Sequence, residues 1–174
     1  MVDVFRQTNF YDQVHILYSE LACFGTACML IEEDYRNVIR CRTLTVGEYD
    51  LDAGEDGRVD TLYRRVRMTP RQLLQAWPDS APDDVRSMVD NDVNRWITVL
   101  HAIEPNKKHN EGARRGDERP FRSVYMILDG AQREVLEDSG YYEFPALCPR
   151  WITTASDVYG SSPAMDALAD CREL

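Results

Sequence analysis

From Phe10 onward apolar residues recur at spacings of three and four: Val14, Leu17, Leu21, Phe24 and Cys28 follow. That spacing lays one stripe along a helix predicted over residues 9–31, and the stripe must face a core or a neighbouring helix. Gly25 falls in the last third of this run, at a cost of roughly 1 kcal/mol against Ala. Such a glycine points to close backbone approach or a local bend. Glu32, Glu33 and Asp34 mark the way out of the helical run. Val38 to Leu44 predicts a strand. Glu48 to Leu51 and Arg58 to Met68 predict a hairpin about Asp52–Gly57, a turn holding Gly54, Asp56 and Gly57, which tolerate positive φ. The apolar phase changes between Tyr63 and Val66, which predicts a bulge.

Thr69 and Pro70 suit the cap and first position of a short helix that carries Leu73, Leu74 and Trp77 and stops at Pro78. Ser80, Pro82 and Asp83 open a second one through Val89. Trp96 to Ile103 is apolar on both faces, as a central strand is. Asn106 to Arg119 is a polar loop between strands. Ser123–Leu128 and Arg133–Leu136 predict a hairpin around Asp129 and Gly130, and an extended piece runs from Tyr142 to Thr153 past Pro145 and Pro149. Ser161, Ser162 and Pro163 begin a last helix with Ala164, Leu168 and Cys171 on one side. The expected fold class is α+β: an N-terminal amphipathic helix, a mostly antiparallel sheet with short helical insertions, and a C-terminal helix. One domain over 1–174 is expected, with Trp77 and Trp96 buried and 106–119 exposed. An apolar helix that has barely begun at Leu174 suggests a piece of a longer protein.

Charge narrows the function classes. The formal charge is −10, with 20 Lys and Arg against 30 Asp and Glu. Such a chain does not grip DNA phosphates by counterion release. It is 44% apolar and 29% charged, an ordinary folded composition. No apolar run is long enough to span a membrane, and residues 1–10 lack a basic segment followed by an apolar one, so no export signal is expected. Cys23, Cys28, Cys41, Cys148 and Cys171 form no C-x-x-C pair, and reduced thiols are expected. Cys23 and Cys28, five apart in the predicted helix, should point in different directions.

Little chemistry stands out. His15, His101 and His109 are scattered, and His101 and Glu104 would lie on opposite faces of a strand, so no metal is expected. No G-x-S-x-G elbow or phosphate-cradling glycine loop is present. The acidic runs Glu32–Asp34, Asp83–Asp84 and Glu137–Asp138 leave an alternative, a metal-dependent nuclease or hydrolase, but most sit at predicted ends and turns where solvated charge is ordinary. Lys107, Lys108, Arg114, Arg115, Arg119 and Arg122 make one cationic cluster, suited to nucleic acid or an acidic partner, or offset by Glu111, Asp117 and Glu118. A small binding module using this loop is a third reading. No catalytic residue and no cofactor is expected.

Three stretches carry a resemblance. The first is Phe24-Gly25-Thr26-Ala27 within the run to Glu33. The second is Asp56-Gly57-Arg58-Val59-Asp60-Thr61, followed by Met68-Thr69-Pro70-Arg71-Gln72. The third is Pro149-Arg150-Trp151 and then Tyr159-Gly160-Ser161-Ser162-Pro163. In this order they resemble the head-to-tail connecting (portal) proteins of short-tailed phages, with Ala27 where a second glycine is common. The resemblance implies a central piece, spanning the wing and the start of the stem, of a subunit in a ring that is usually dodecameric. It implies a virion protein made in the host cytoplasm, non-enzymatic. Its implied partners are copies of itself, the packaging terminase, capsid and tail proteins, and double-stranded DNA in transit. Tyr159, Gly160, Ser161, Ser162 and Pro163 would form the start of the stem helix: Gly for the turn, Ser as cap, Pro to fix the first helical φ.

Overall fold

The computed structural model describes residues 2–92, 94–109, 112, 115–129, 133–154 and 157–173. The amphipathic stripe forms helix α2 (Phe10–Phe24), preceded by a short α1 (Val2–Gln7). The helix is shorter than its periodicity predicts. Gly25 takes the left-handed conformation (φ 70°) and its N–H bonds the Leu21 carbonyl, so α2 ends there. Cys28–Asp34, expected to include the last helical turn, is instead strand β1, and Glu32 to Asp34 belong to it. A short apolar run is compatible with either structure, and the capping glycine decides.

The described chain divides into two compact units, 1–59 with 145–174, and 60–144. In the first, β1 is the middle strand of an antiparallel sheet between β2 (Val38–Leu44) and the short β8 (Ala146–Leu147). Leu17 of α2 packs with Ala27, Met29 and Cys41, flanked by Phe10, Val14 and Leu21. The outer edge of β2 is also stitched to the helix: the Asn9 side chain gives and takes a bond with the Cys41 backbone (2.7 and 3.0 Å), and Gln13 accepts twice from Thr43, at its side-chain oxygen from the backbone N–H (2.7 Å) and at its carbonyl from the hydroxyl (2.8 Å). These bonds occupy edge groups that would otherwise invite another strand. Strand β3 (Tyr49–Ala53) leads into the predicted turn, where Gly54 N–H donates to the Arg58 carbonyl.

The second unit is an antiparallel sheet in the order β4 (Val59–Met68), β5 (Ile97–Pro105), β6 (Phe121–Ile127), β7 (Val135–Tyr141). Helices α3 (Pro70–Ala76) and α4 (Asp83–Asn91) cross from β4 to β5. The start of α3 is a complete capping box between Thr69 and Gln72, with Pro70 in the first turn. Leu73, Ala81 and Val85 pack on Ile97, Val99, Ile127 and Leu136. β5 is central, as its two-faced apolarity predicts. The bulge expected at Tyr63–Val66 is absent from the β4–β5 ladder, which runs unbroken from Leu62 to Met68. The break in apolar phase is Arg64, a charged residue holding an interior place (5% exposed). The register shift lies elsewhere, at Tyr125/Met126 opposite β7. Trp77 is half-buried and donates to Glu137 (2.7 Å). Trp96, expected to be buried, is 54% exposed: it sits just before β5, whose inward row begins at Ile97, and the Arg67 guanidinium lies 5.6 Å from its ring centre.

Arg64 lies directly across from His101 in the ladder, and Tyr125 lies across on the other side. The Arg64 Nε donates to His101 Nδ1 (2.9 Å), so the other ring nitrogen carries the proton and donates to Ser123 Oγ (2.9 Å). Tyr125 stacks on the imidazole at 3.9 Å and accepts from Arg64 Nη2 (3.2 Å). Burial, then the Arg64 charge, pushes the His101 pKa down to about 3 from the ordinary 6.5. The unfolded chain therefore binds a proton near pH 6.5 that the folded chain refuses. Stability is whole above that pH and falls as pH drops toward 3. Unfolding midpoints measured between pH 7 and 5 should fall by the equivalent of about 2 kcal/mol. His101→Gln should remove most of that slope.

Candidate functional site

Three of the motif segments, Phe24–Ala27, Pro149–Trp151 and Tyr159–Pro163, meet at one seam in the first unit. At its centre the chain crosses itself with no side chain between. A Cβ on Gly25 would sit 2.4 Å from the Gly160 carbonyl oxygen, and one on Gly160 would sit 2.4 Å from the Gly25 carbonyl oxygen. Glycine is required at 25 for space and for its left-handed φ. At 160 the requirement is space. Around this crossing the polar groups pair closely. The Gly160 N–H donates to Thr26 Oγ1 (2.7 Å), both residues being buried. The Trp151 N–H donates to the Gly25 carbonyl (2.8 Å), the Ala27 N–H to the Pro149 carbonyl (3.1 Å), and the Ser161 N–H to the Ile152 carbonyl (2.8 Å).

The helix start that follows is fixed at two points by one side chain. Ser162, 1% exposed, accepts from the Met165 N–H (3.1 Å) as the cap of α5 (Pro163–Asp166) and donates to the Cys23 carbonyl (2.8 Å) near the end of α2. Pro163 occupies the first turn. The Tyr159 hydroxyl accepts from the Leu51 N–H of β3 (2.8 Å). Arg150 bonds the carbonyls of Gly57, Asp157 and Val158. The helix predicted through Leu168 and Cys171 is broken at Ala167 into α5 and α6 (Leu168–Glu173).

An apolar cavity of about 230 Å³ opens beside the seam, lined by Phe24, Thr26, Val46, Tyr49, Tyr159 and Met165. The Tyr49 hydroxyl is buried with no hydrogen-bond partner among the described residues. Burial, with the Cys28 and Cys148 thiols nearby, holds its phenol well above the ordinary range.

The basic loop is placed differently, in the second unit. Lys107 and Lys108 are exposed just beyond β5, and Arg114 lies outside the described residues. Arg115 grips Asp117 with two nitrogens (3.2 and 3.1 Å). Arg119 donates to the Gly140 carbonyl (2.8 Å) and lies 4.6 Å from the Tyr142 ring centre. Arg122 is bidentate to Asp138 (3.0 and 2.6 Å), which holds that carboxyl below its usual range. Asn106 ties the loop down through the Asp117 and Arg119 carbonyls (2.8 and 2.9 Å). Much of the cluster's charge is thus spent on its own loop and strand. Among the described residues no three His, Cys, Asp or Glu side chains are placed to hold a metal ion. No described helix is long and apolar enough to cross a membrane.

Sequence reasoning marked Gly25 as either a close backbone approach or a local bend, and Tyr159–Pro163 as a capped helix start. It missed that the two segments are each other's neighbours, and it gave Thr26, quoted within the first motif, no role of its own. The only signal was that both stretches carried the same resemblance.

Comparison with known proteins follows that signal. The sequence model of a family described as "Bacteriophage head to tail connecting protein" matches residues 1–174. A "Probable portal protein" of Bordetella phage BPP-1 is 39% identical over 176 residues, covering 100% of this chain and 32% of that protein. A "Portal protein" of Salmonella phage epsilon15 is 37% identical over 177 residues, again 100% and 32%. The chain spans about a third of the length of these relatives.

Two substitutions test the seam. Gly160→Ala should destabilise the protein by about 3 kcal/mol from overpacking against backbone, and Gly25→Ala by more, since left-handed strain adds to it. Gly47→Ala, where a Cβ meets nothing within 4 Å, should cost only the φ strain of about 1 kcal/mol. Urea unfolding midpoints check the order.

Proposed function

The chain belongs to the bacteriophage head to tail connecting protein family, and on that premise we propose that it is part of a structural subunit of the portal ring. The ring is the conduit through which the genome is packaged and ejected. It is also the platform on which capsid, tail and packaging terminase dock. The observation that carries this reading is the family match over the whole of 1–174, with portal proteins of two phages at 37% and 39% identity. In this reading the chain is a virion component that does no chemistry of its own, and a separate motor moves the DNA.

The seam suits such a role. A stem helix inclined to a channel must leave the body of its subunit at a fixed angle. Tyr159, Gly160, Ser161, Ser162 and Pro163 supply that angle: both ends of the motif are bonded back to β3 and α2, and Ser162 caps the helix at the same time. The net charge of −10 suits passage of DNA, because a strongly attractive wall would slow the moving polyanion. Among the described residues of the basic loop, Lys107 and Lys108 are exposed cations suited to transient contact with DNA or an acidic neighbour, while Arg115 and Arg119 shape the loop. The acidic runs give the nuclease or hydrolase alternative no support. Asp34 of the first run is paired with Arg40, and Asp138 of the third with Arg122.

Light scattering on the full-length protein tests the assembly. A particle of about twelve subunits is expected. A monomer at every concentration contradicts the proposal.

A further inference from the structure

Cys28 and Cys148 lie on neighbouring antiparallel segments, and their sulfurs are 3.6 Å apart. The register makes them a directly opposed pair. Met29 is across from Leu147, Leu30 from Ala146, and Thr26 from Arg150, so Cys28 falls opposite Cys148. The hydrogen bonds of this ladder run between Ala27 and Pro149 and between Ile31 and Pro145. Cys28 and Cys148 therefore occupy a non-hydrogen-bonded site, where facing Cα atoms are about 4.5 Å apart and side chains are closest. That separation lies inside the range a disulfide spans. Their access differs: Cys28 is buried, and Cys148 is half-buried.

We propose that Cys28 and Cys148 form an oxidation-closable staple that ties β1 to the returning segment at β8. The oxidant is a small-molecule disulfide. The accessible Cys148 thiolate attacks one of its sulfurs, forming a mixed disulfide and releasing one thiol. The Cys28 thiolate then attacks Cys148 Sγ, breaking the mixed disulfide and releasing the second thiol. The two protein thiols lose two electrons and two protons, and the small disulfide gains them to become two thiols. The bond closes a loop on the order of 120 residues, a length for which cross-linking constrains the unfolded chain strongly. It also locks the strand pair that continues into the Gly25–Gly160 crossing. Cross-strand geometry at such a site favours a labile bond, closed in an oxidising medium and opened by excess thiol. The inference concerns the fold of one subunit and does not depend on ring assembly.

The test oxidises the full-length protein with oxidised glutathione, blocks remaining thiols with N-ethylmaleimide and maps tryptic peptides by mass spectrometry. The expected product joins peptides 7–36 and 134–150, and fragmentation assigns the bond to Cys28 rather than Cys23, which shares the first peptide. The thermal midpoint should rise by about 10 °C and return to its starting value in dithiothreitol. Cys148→Ala, at the more exposed position, should fold, give no linked peptide and show no rise. Recovery of Cys148 only as its glutathione adduct or maleimide derivative overturns the proposal. So does a Cys23–Cys148 bond, or a thermal rise that persists in Cys148→Ala.

Discussion

The seam of the first unit is built on two peptide groups touching where no side chain can fit. The Gly25–Gly160 crossing brings the end of α2 against the segment that starts α5. Because the crossing is backbone on backbone, it has essentially one geometry. The N–H of Gly160 then finds Thr26 Oγ1, Trp151 finds the Gly25 carbonyl, and Ser162 reaches Cys23. Gly25, Thr26, Gly160 and Ser162 are buried, and for such groups an unmade hydrogen bond costs more than a made one contributes. The seam is therefore either satisfied as a whole or poorly formed as a whole. That cooperativity can turn a loop into a fixed bearing for the helix that leaves it.

The second unit solves a different problem. Its sheet holds Arg64 and His101 in its interior row and ties them into one network: arginine donates to the imidazole, the imidazole donates to Ser123, and Tyr125 stacks on the ring while accepting from the arginine. A polar row of this kind specifies register, since a slip by one residue would place every member on the opposite face of the sheet. The apolar contacts of α3 and α4 hold one end of the same face.

Much of this was legible in the sequence, for physical reasons that differ by element. Thr69-Pro70 and Ser162-Pro163 announce capped helices because capping is local chemistry, and both caps form. Trp96–Ile103 announces a central strand because a strand flanked on both sides within a sheet can bury two apolar faces at once. The end of α2 was not legible: the run after Gly25 is uncharged and, past Thr26, apolar as far as Ile31, so periodicity carries the helix on while the backbone has already turned. Trp96 misled because size and apolarity predict burial only on average, and its place just before Ile97 leaves it outside. Neither the glycine crossing nor the Cys28–Cys148 pairing is a property of any local stretch. Each joins residues more than a hundred positions apart, and only their register in space reveals them. The motif residues pointed to the seam all the same, since Phe24–Ala27, Pro149–Trp151 and Tyr159–Pro163 gather there.

Amide hydrogen exchange on the full-length protein tests the central claim most directly. If the crossing is one cooperative unit, the Gly160 and Trp151 amides exchange only through the same opening that exposes Met29 and Leu30 in the middle of β1, with equal protection. If the Gly160 amide exchanges orders of magnitude faster than those of β1, the segment frays on its own and the seam does not fix the helix that follows.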